Sequence, residues 1–166
     1  MKLSTRLTAL LISSFAFSAS AAYAQTALPF SGTFNIDESL AVSPEAGCPI
    51  LTGIISGQGT ANYLGRTAIS GTNCVTPPAE GAPPVYNFAN GNIVLMAANG
   101  DMLYGTFSGA FVPTGKGTIF TVVDGTYSFS RGTGRFAAAT GSGKLTGTQD
   151  IATGKGKLQA TGTISY

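Results

Sequence analysis

The sequence predicts an all-β protein: a single antiparallel β-barrel of about eight strands, with one short helical turn near residues 134–140. Three observations lead there. Charged residues make up only 10% of the chain while glycine alone supplies 23 positions, and the threonine, β-branched and aromatic remainder disfavours helix and suits a pleated surface. Apolar and polar residues alternate in runs separated by short turn signals. No segment carries the apolar stripe of an amphipathic helix. An antiparallel barrel closes such a set of strands without leaving open edges, and a sandwich is the next architecture.

The first 24 residues stand apart. Lys2 and Arg6 precede the apolar run Leu7 to Phe17, and Ala22-Tyr-Ala24 supplies small residues two apart before Gln25. This is the pattern of a secretory signal peptide cleaved after Ala24, too short for a membrane anchor. The expected location is therefore periplasmic or extracellular, with residues 25–166 as one β-barrel domain of 142 residues. Seven basic and seven acidic residues remain after cleavage, so the exported chain is formally neutral. With no cluster of lysine and arginine, nucleic acid is not expected as a partner. Cys48 and Cys74 are the two cysteines. In an oxidising compartment such a pair reads as a disulfide.

Phe30 to Ile36 alternates and reads as the first strand, and Asp37 to Pro49 reads as a loop because of Pro44, Gly47 and Pro49. Ile50 to Thr60 and Gly65 to Val75 follow as strands around a tight turn near Asn62. Thr76 to Pro84 is a proline-rich loop. Asn90-Gly91 and Asn99-Gly100 both resemble two-residue hairpin turns, which makes Val85 to Ala89, Asn92 to Ala98 and Asp101 to Val112 three successive strands. In the strand Thr118 to Ser130, Phe120 and Val122 have even parity whereas Tyr127 and Phe129 have odd parity. One buried face can hold all four only if an extra residue intervenes, so a β-bulge is expected at Asp124-Gly125, with the glycine in the strained position. A glycine- and alanine-rich corner, Arg131 to Gly143, leads into Lys144 to Gln149. After a turn at Asp150 to Lys155, Gly156 to Tyr166 alternates cleanly, with Leu158, Ala160, Gly162, Ile164 and Tyr166 on one face.

The chemistry-bearing residues are few. The chain has no histidine, so a free cysteine nucleophile would lack its usual base. No metal site and no cofactor is expected. Gly132-Thr-Gly134 lacks the surrounding βαβ unit of a dinucleotide site, and Ala138 to Leu145 lacks the first glycine and the hydroxyl residue of a phosphate loop. Asp101, Asp124 and Asp150 fall at turns or bulges, where aspartate bonds to local backbone. Asp37-Glu38, the adjacent acid pair, reads as solvated. Phe107, Phe120, Tyr127 and Phe129 are the candidate lining of a ligand cavity, and the same rings serve equally as barrel core.

Tyr127-Ser-Phe129, followed by Gly132-Thr-Gly-Arg-Phe136 and Ala139-Thr-Gly141, resembles the Gly-Gly-Thr-Gly-Arg-Phe-x-Gly-Ala-x-Gly signature of the allene oxide cyclase and dirigent superfamily, in particular its small exported bacterial members. Gly57-x-Gly59-Thr-Ala61 with Leu64-Gly65-Arg66 is similar to the upstream part of those bacterial sequences. Arg131 stands where the first signature glycine would be, and Ala138 replaces a later one. The resemblance implies an eight-stranded barrel with an apolar central cavity; in the plant members such barrels steer a reactive intermediate toward one stereochemical outcome. It assigns Gly132, Gly134, Arg135 and Phe136 to a structural corner; Arg135 there caps carbonyls or pairs with an acid at the barrel end, with an anion contact as its alternative role. The families' active-site acids find no matching position here.

Three functions follow as expectations. The first is an exported barrel, monomeric or weakly associated and not catalytic, that takes a small apolar ligand. The second is an isomerase- or cyclase-like enzyme, whose sign would be a buried carboxylate or tyrosine at an open barrel mouth. The third is a small outer-membrane barrel; stable membrane insertion is not expected, because the strands lack an outward band of large apolar residues.

Overall fold

A computed structural model describes residues 26–42 and 48–166. The signal peptide read in residues 1–24 lies outside the described residues. Eight strands, β1 (Leu28–Ala41), β2 (Leu51–Ala61), β3 (Gly65–Thr76), β4 (Tyr86–Met96), β5 (Met102–Lys116), β6 (Ile119–Gly132), β7 (Thr140–Asp150) and β8 (Lys155–Ser165), form a closed antiparallel barrel in chain order. The circle closes where β1 pairs with β8, Phe34 opposite Leu158. Among the described residues the helical content is one 3-10 turn, Gly134–Phe136, in the β6–β7 corner.

Alternation sets the two faces. On β1, Phe30, Phe34 and Ile36 are buried while Ser31, Asn35 and Asp37 are exposed. On β8, Leu158, Ala160 and Ile164 are buried while Lys157, Gln159 and Thr161 are exposed. Inward side chains fill the interior, as expected for a barrel of this strand number. Phe30 packs on Phe129 with ring centroids 5.2 Å apart, and Phe88 on Phe111 at 4.9 Å.

Three local expectations need correction. Asn90-Gly91 is not a hairpin turn: it lies inside β4. Asn90 adopts φ +52, and the register slips between Phe88 and Gly91. One extra residue there lets even-numbered Phe88 and odd-numbered Leu95 both face inward, as a bulge does. At the expected bulge of β6 the register slip is present, where Ser108 and Ala110 of β5 face Thr126 and Val123, but Asp124 rather than Gly125 takes the positive φ, at +50. Short polar aspartate tolerates that region, while Gly125 is needed because its Cα faces the Leu145 carbonyl of β7. Finally, β1 does not stop at Ile36. It runs on to Ala41, with Asp37 opposite Lys155 and Leu40 opposite Gly53. Pairing with a neighbour on each side overrides the weak strand preference of Asp, Glu and Ser.

The two barrel ends differ. At one, Phe136 (0% exposed) and Leu64 (2%) plug the interior together with Leu103 and Ile164. Tyr166 covers them, its ring 5.0 Å from Phe136 and 5.7 Å from Tyr63. The Arg135 guanidinium donates to the Tyr63 carbonyl and lies over the Phe136 ring, so the corner strapped across this end is also bonded to the β2–β3 turn. Thr133 ties the same corner to β5 by exchanging two hydrogen bonds of 2.8 Å with the Met102 backbone. No such plug covers the opposite end among the described residues.

Candidate functional site

The open end is built by the last residues of β1, β3 and β7 and the first of β4 and β8. Period-two alternation carries the inward row of β1 from Phe34 and Ile36 to Glu38 and Leu40. The same rule turns Asn73 inward beside Val75 on β3, and Gln149 inward after Leu145 on β7. Three polar side chains thereby meet at one level of an apolar barrel. Glu38 is half-buried, and Asn73 and Gln149 are buried, 2% and 4% exposed.

Their hydrogen bonds follow from charge. An ionised carboxylate only accepts, so both amides turn their nitrogens toward it: Asn73 Nδ2 donates to Glu38 Oε1 at 3.0 Å and Gln149 Nε2 to Oε2 at 2.9 Å. Gln149 Nε2 also reaches the Gly154 carbonyl at 3.2 Å, which accepts from the Glu38 backbone N–H at 2.9 Å. The amide oxygens are left over. Asn73 Oδ1 and Gln149 Oε1 are buried without a hydrogen-bond partner. Gly53 makes room for the cluster: a side chain there would run into Asn73 Oδ1 and Glu38 Oε1.

Two spaces that share Glu38, Phe111 and Gln149 in their walls adjoin these groups. The outer one, about 140 Å³, opens at the barrel end and is lined by Glu38, Leu40, Val75, Tyr86, Phe111, Gln149, Ile151 and Gly154. The inner one, about 10 Å³, lies behind it among Glu38, Asn73, Gln149 and core residues such as Ile36, Phe88 and Phe107. Around the rim, Leu40 (53% exposed), Val42 (80%), Ile50 (45%) and Ile151 (39%) leave apolar surface in water.

The residues proposed from sequence as a cavity lining sit elsewhere. Phe107 reaches the inner space, whereas Phe120 packs edge-on against Tyr86 at 5.7 Å, and Tyr127 and Phe129 stack in the core at 4.9 Å. The Tyr127 hydroxyl is buried without a partner, over the backbones of Gly143 and Gly162. Burial pushes its pKa up to about 12. Gly132, Gly134, Arg135 and Phe136 lie at the closed end, away from the mouth. Asp150 binds its own turn, accepting from the Ala152 N–H at 3.0 Å, and bonds with Thr118 and that N–H hold its pKa below the ordinary value. Cys48 and Cys74 are disulfide-bonded, 2.05 Å between sulfurs, which is compatible with an oxidising, exported location.

Glu38, Asn73 and Gln149 escaped the reading of the sequence as site residues, although inward parity was the signal that marks each of them. No family model, no curated protein and no solved structure matches the chain.

Proposed function

We propose that the protein is an exported binding barrel that holds a small, mainly apolar molecule at its open mouth, with a polar end of that molecule directed at Glu38. The observation that carries this reading is the space of about 140 Å³ with apolar walls and a hydrogen-bonded carboxylate at its base. Cavities of that order accept a single benzene-sized ring. The interior proper supports no larger occupant, because its rings are packed against one another. A few convergent polar groups in an apolar pocket fix a ligand's orientation. The exposed rim provides an apolar approach. The outer wall, by contrast, presents Ser31, Asn35, Lys157, Gln159 and Thr161 to solvent, which argues against the lipid-facing band of an outer-membrane barrel.

Calorimetric titration with benzyl alcohol, a neutral probe of one ring, tests the reading. Wild-type protein should bind it, and Leu40→Trp, which fills the rim at an exposed position, should weaken binding by about tenfold, or ~1.4 kcal/mol. Equal affinity in both proteins, or no binding to wild type, would overturn it.

A second reading, an isomerase- or cyclase-like enzyme of the kind the corner signature resembles, is favoured by one observation: Glu38 is an inward carboxylate at an open mouth rather than a solvated turn residue. Here the pocket would confine a reactive substrate while Glu38 stabilises positive charge as it develops. Chiral chromatography of the cyclic product formed from an allene oxide, with and without protein, is the test. Enrichment of one enantiomer that disappears in Glu38→Gln supports the reading; a racemic product in both cases rejects it.

A further inference from the structure

We propose that the occupant of the mouth is a small organic cation, a protonated amine whose ammonium head enters the Glu38–Asn73–Gln149 nook while its apolar body rests on Leu40, Val75 and Tyr86. The inference rests on the mouth-binding reading above and adds the chemistry of the ligand's polar end.

The donor–acceptor balance of the nook carries it. Both oxygens of Glu38 already receive amide N–H groups, yet the negative charge is met by no cation: neither space has a lysine or arginine among its described lining residues. The two groups left without partners, Asn73 Oδ1 and Gln149 Oε1, are carbonyl oxygens, acceptors only, on side chains that are 2% and 4% exposed. A buried polar atom left unpaired is costly, so native proteins pair nearly all of them. The nook calls for donors: a water would serve the two amide oxygens, whereas a group with several donors and a positive charge serves them and Glu38 together. An ammonium has three donors and no acceptor.

Size and surroundings agree. The inner space, about 10 Å³, is on the order of what one water-sized group occupies, and an ammonium head is of that size. The outer space would hold the apolar body, which Tyr86 and Phe111 help to line. A carboxylate-headed ligand fits poorly, since it would bring a second negative charge to Glu38 and a set of acceptors to a set of acceptors. The Tyr86 hydroxyl can both donate and accept, and so does not reverse the balance.

Three probes with one ring body separate the possibilities: benzylammonium, benzyl alcohol and benzoate, each titrated at pH 7 into the mature protein and monitored by amide and methyl NMR. Benzylammonium should bind about tenfold or more tightly than benzyl alcohol, in line with a hydrogen bond to a charged group, and benzoate should bind most weakly. Resonances of Glu38, Asn73 and Gln149 should shift. In Glu38→Gln, which keeps the shape but removes the charge and replaces one acceptor oxygen by a donor, benzylammonium should lose its advantage over benzyl alcohol. Equal binding of all three probes, with shifts at the mouth, would overturn the cation assignment but leave the binding barrel standing. Binding of none would remove both. Retained benzylammonium affinity in Glu38→Gln would also reject the assignment.

Discussion

Tyr127→Phe should stabilise the protein, and the gain should grow with alkaline pH. The Tyr127 hydroxyl is buried with no hydrogen-bond partner, a situation that costs about 1–3 kcal/mol. Phenylalanine keeps the ring contacts with Phe30 at 5.9 Å and Phe129 at 4.9 Å and removes the orphaned group. Near neutral pH the variant should gain about 1 kcal/mol, or roughly 3 °C in Tm for a domain of this length. Burial raises the pKa from 10.0 to about 12, so the unfolded chain gives up this proton before the folded one does. The raised pKa therefore leaves stability intact below pH 10 and erodes it as pH rises toward 12. At pH 11 the wild type should have lost about 1.4 kcal/mol that the variant never had to lose. Urea unfolding of both proteins at pH 8 and pH 11 measures the two gaps, and other tyrosines and the lysines cancel in the difference. A variant less stable than wild type, or a gap that stays constant between the two pH values, would refute the reasoning.

Other predictions concern the corner, the staple and the mouth. Gly134 has φ +53 and its Cα faces the Asp101 carboxylate, which accepts from Asn99 at 2.8 Å; Gly134→Val should lower stability by about 3 kcal/mol, and an unchanged melting curve would contradict the corner assignment. The disulfide links residues 26 apart, and replacing both cysteines by alanine should cost about 3.5 kcal/mol by loop entropy, read as a lower urea midpoint with a steeper slope, because the unfolded chain freed of its crosslink exposes more surface; an unmoved midpoint counts against it as a staple. Gly53→Ala, which displaces Asn73 and Glu38 from their shared position, should weaken benzylammonium binding by about tenfold, or ~1.4 kcal/mol, while leaving the far-UV circular dichroism intact; full affinity would show that the amide–carboxylate geometry does not matter.

Much of the barrel was legible because a strand with one buried face advertises it. The clean alternation of Leu158, Ala160 and Ile164 marked β8, and the parity conflict between Phe120 and Tyr127 marked a bulge. The same conflict existed between Phe88 and Leu95, yet the local turn preference of Asn-Gly masked it. Only the pairing of Asn92 with Thr106 and of Phe88 with Gly109 across β5 shows that the strand continues. At the mouth, the parity of Phe30, Phe34 and Ile36 already pointed Glu38 inward, but the prolines and glycine further on placed the loop boundary too early. The convergence of Glu38, Asn73 and Gln149 was not legible at all. β1, β3 and β7 are not mutual neighbours, so nothing local aligns their ends; barrel closure and register do.

A crystal structure of the mature protein soaked with benzylammonium probes the open end itself. The ring should lie against Leu40, Val75 and Tyr86, with its nitrogen within hydrogen-bonding distance of Glu38. Occupancy near Phe136 and Tyr166 or on the outer wall, or a mouth that stays empty under saturating probe, would contradict ligand binding at the open end.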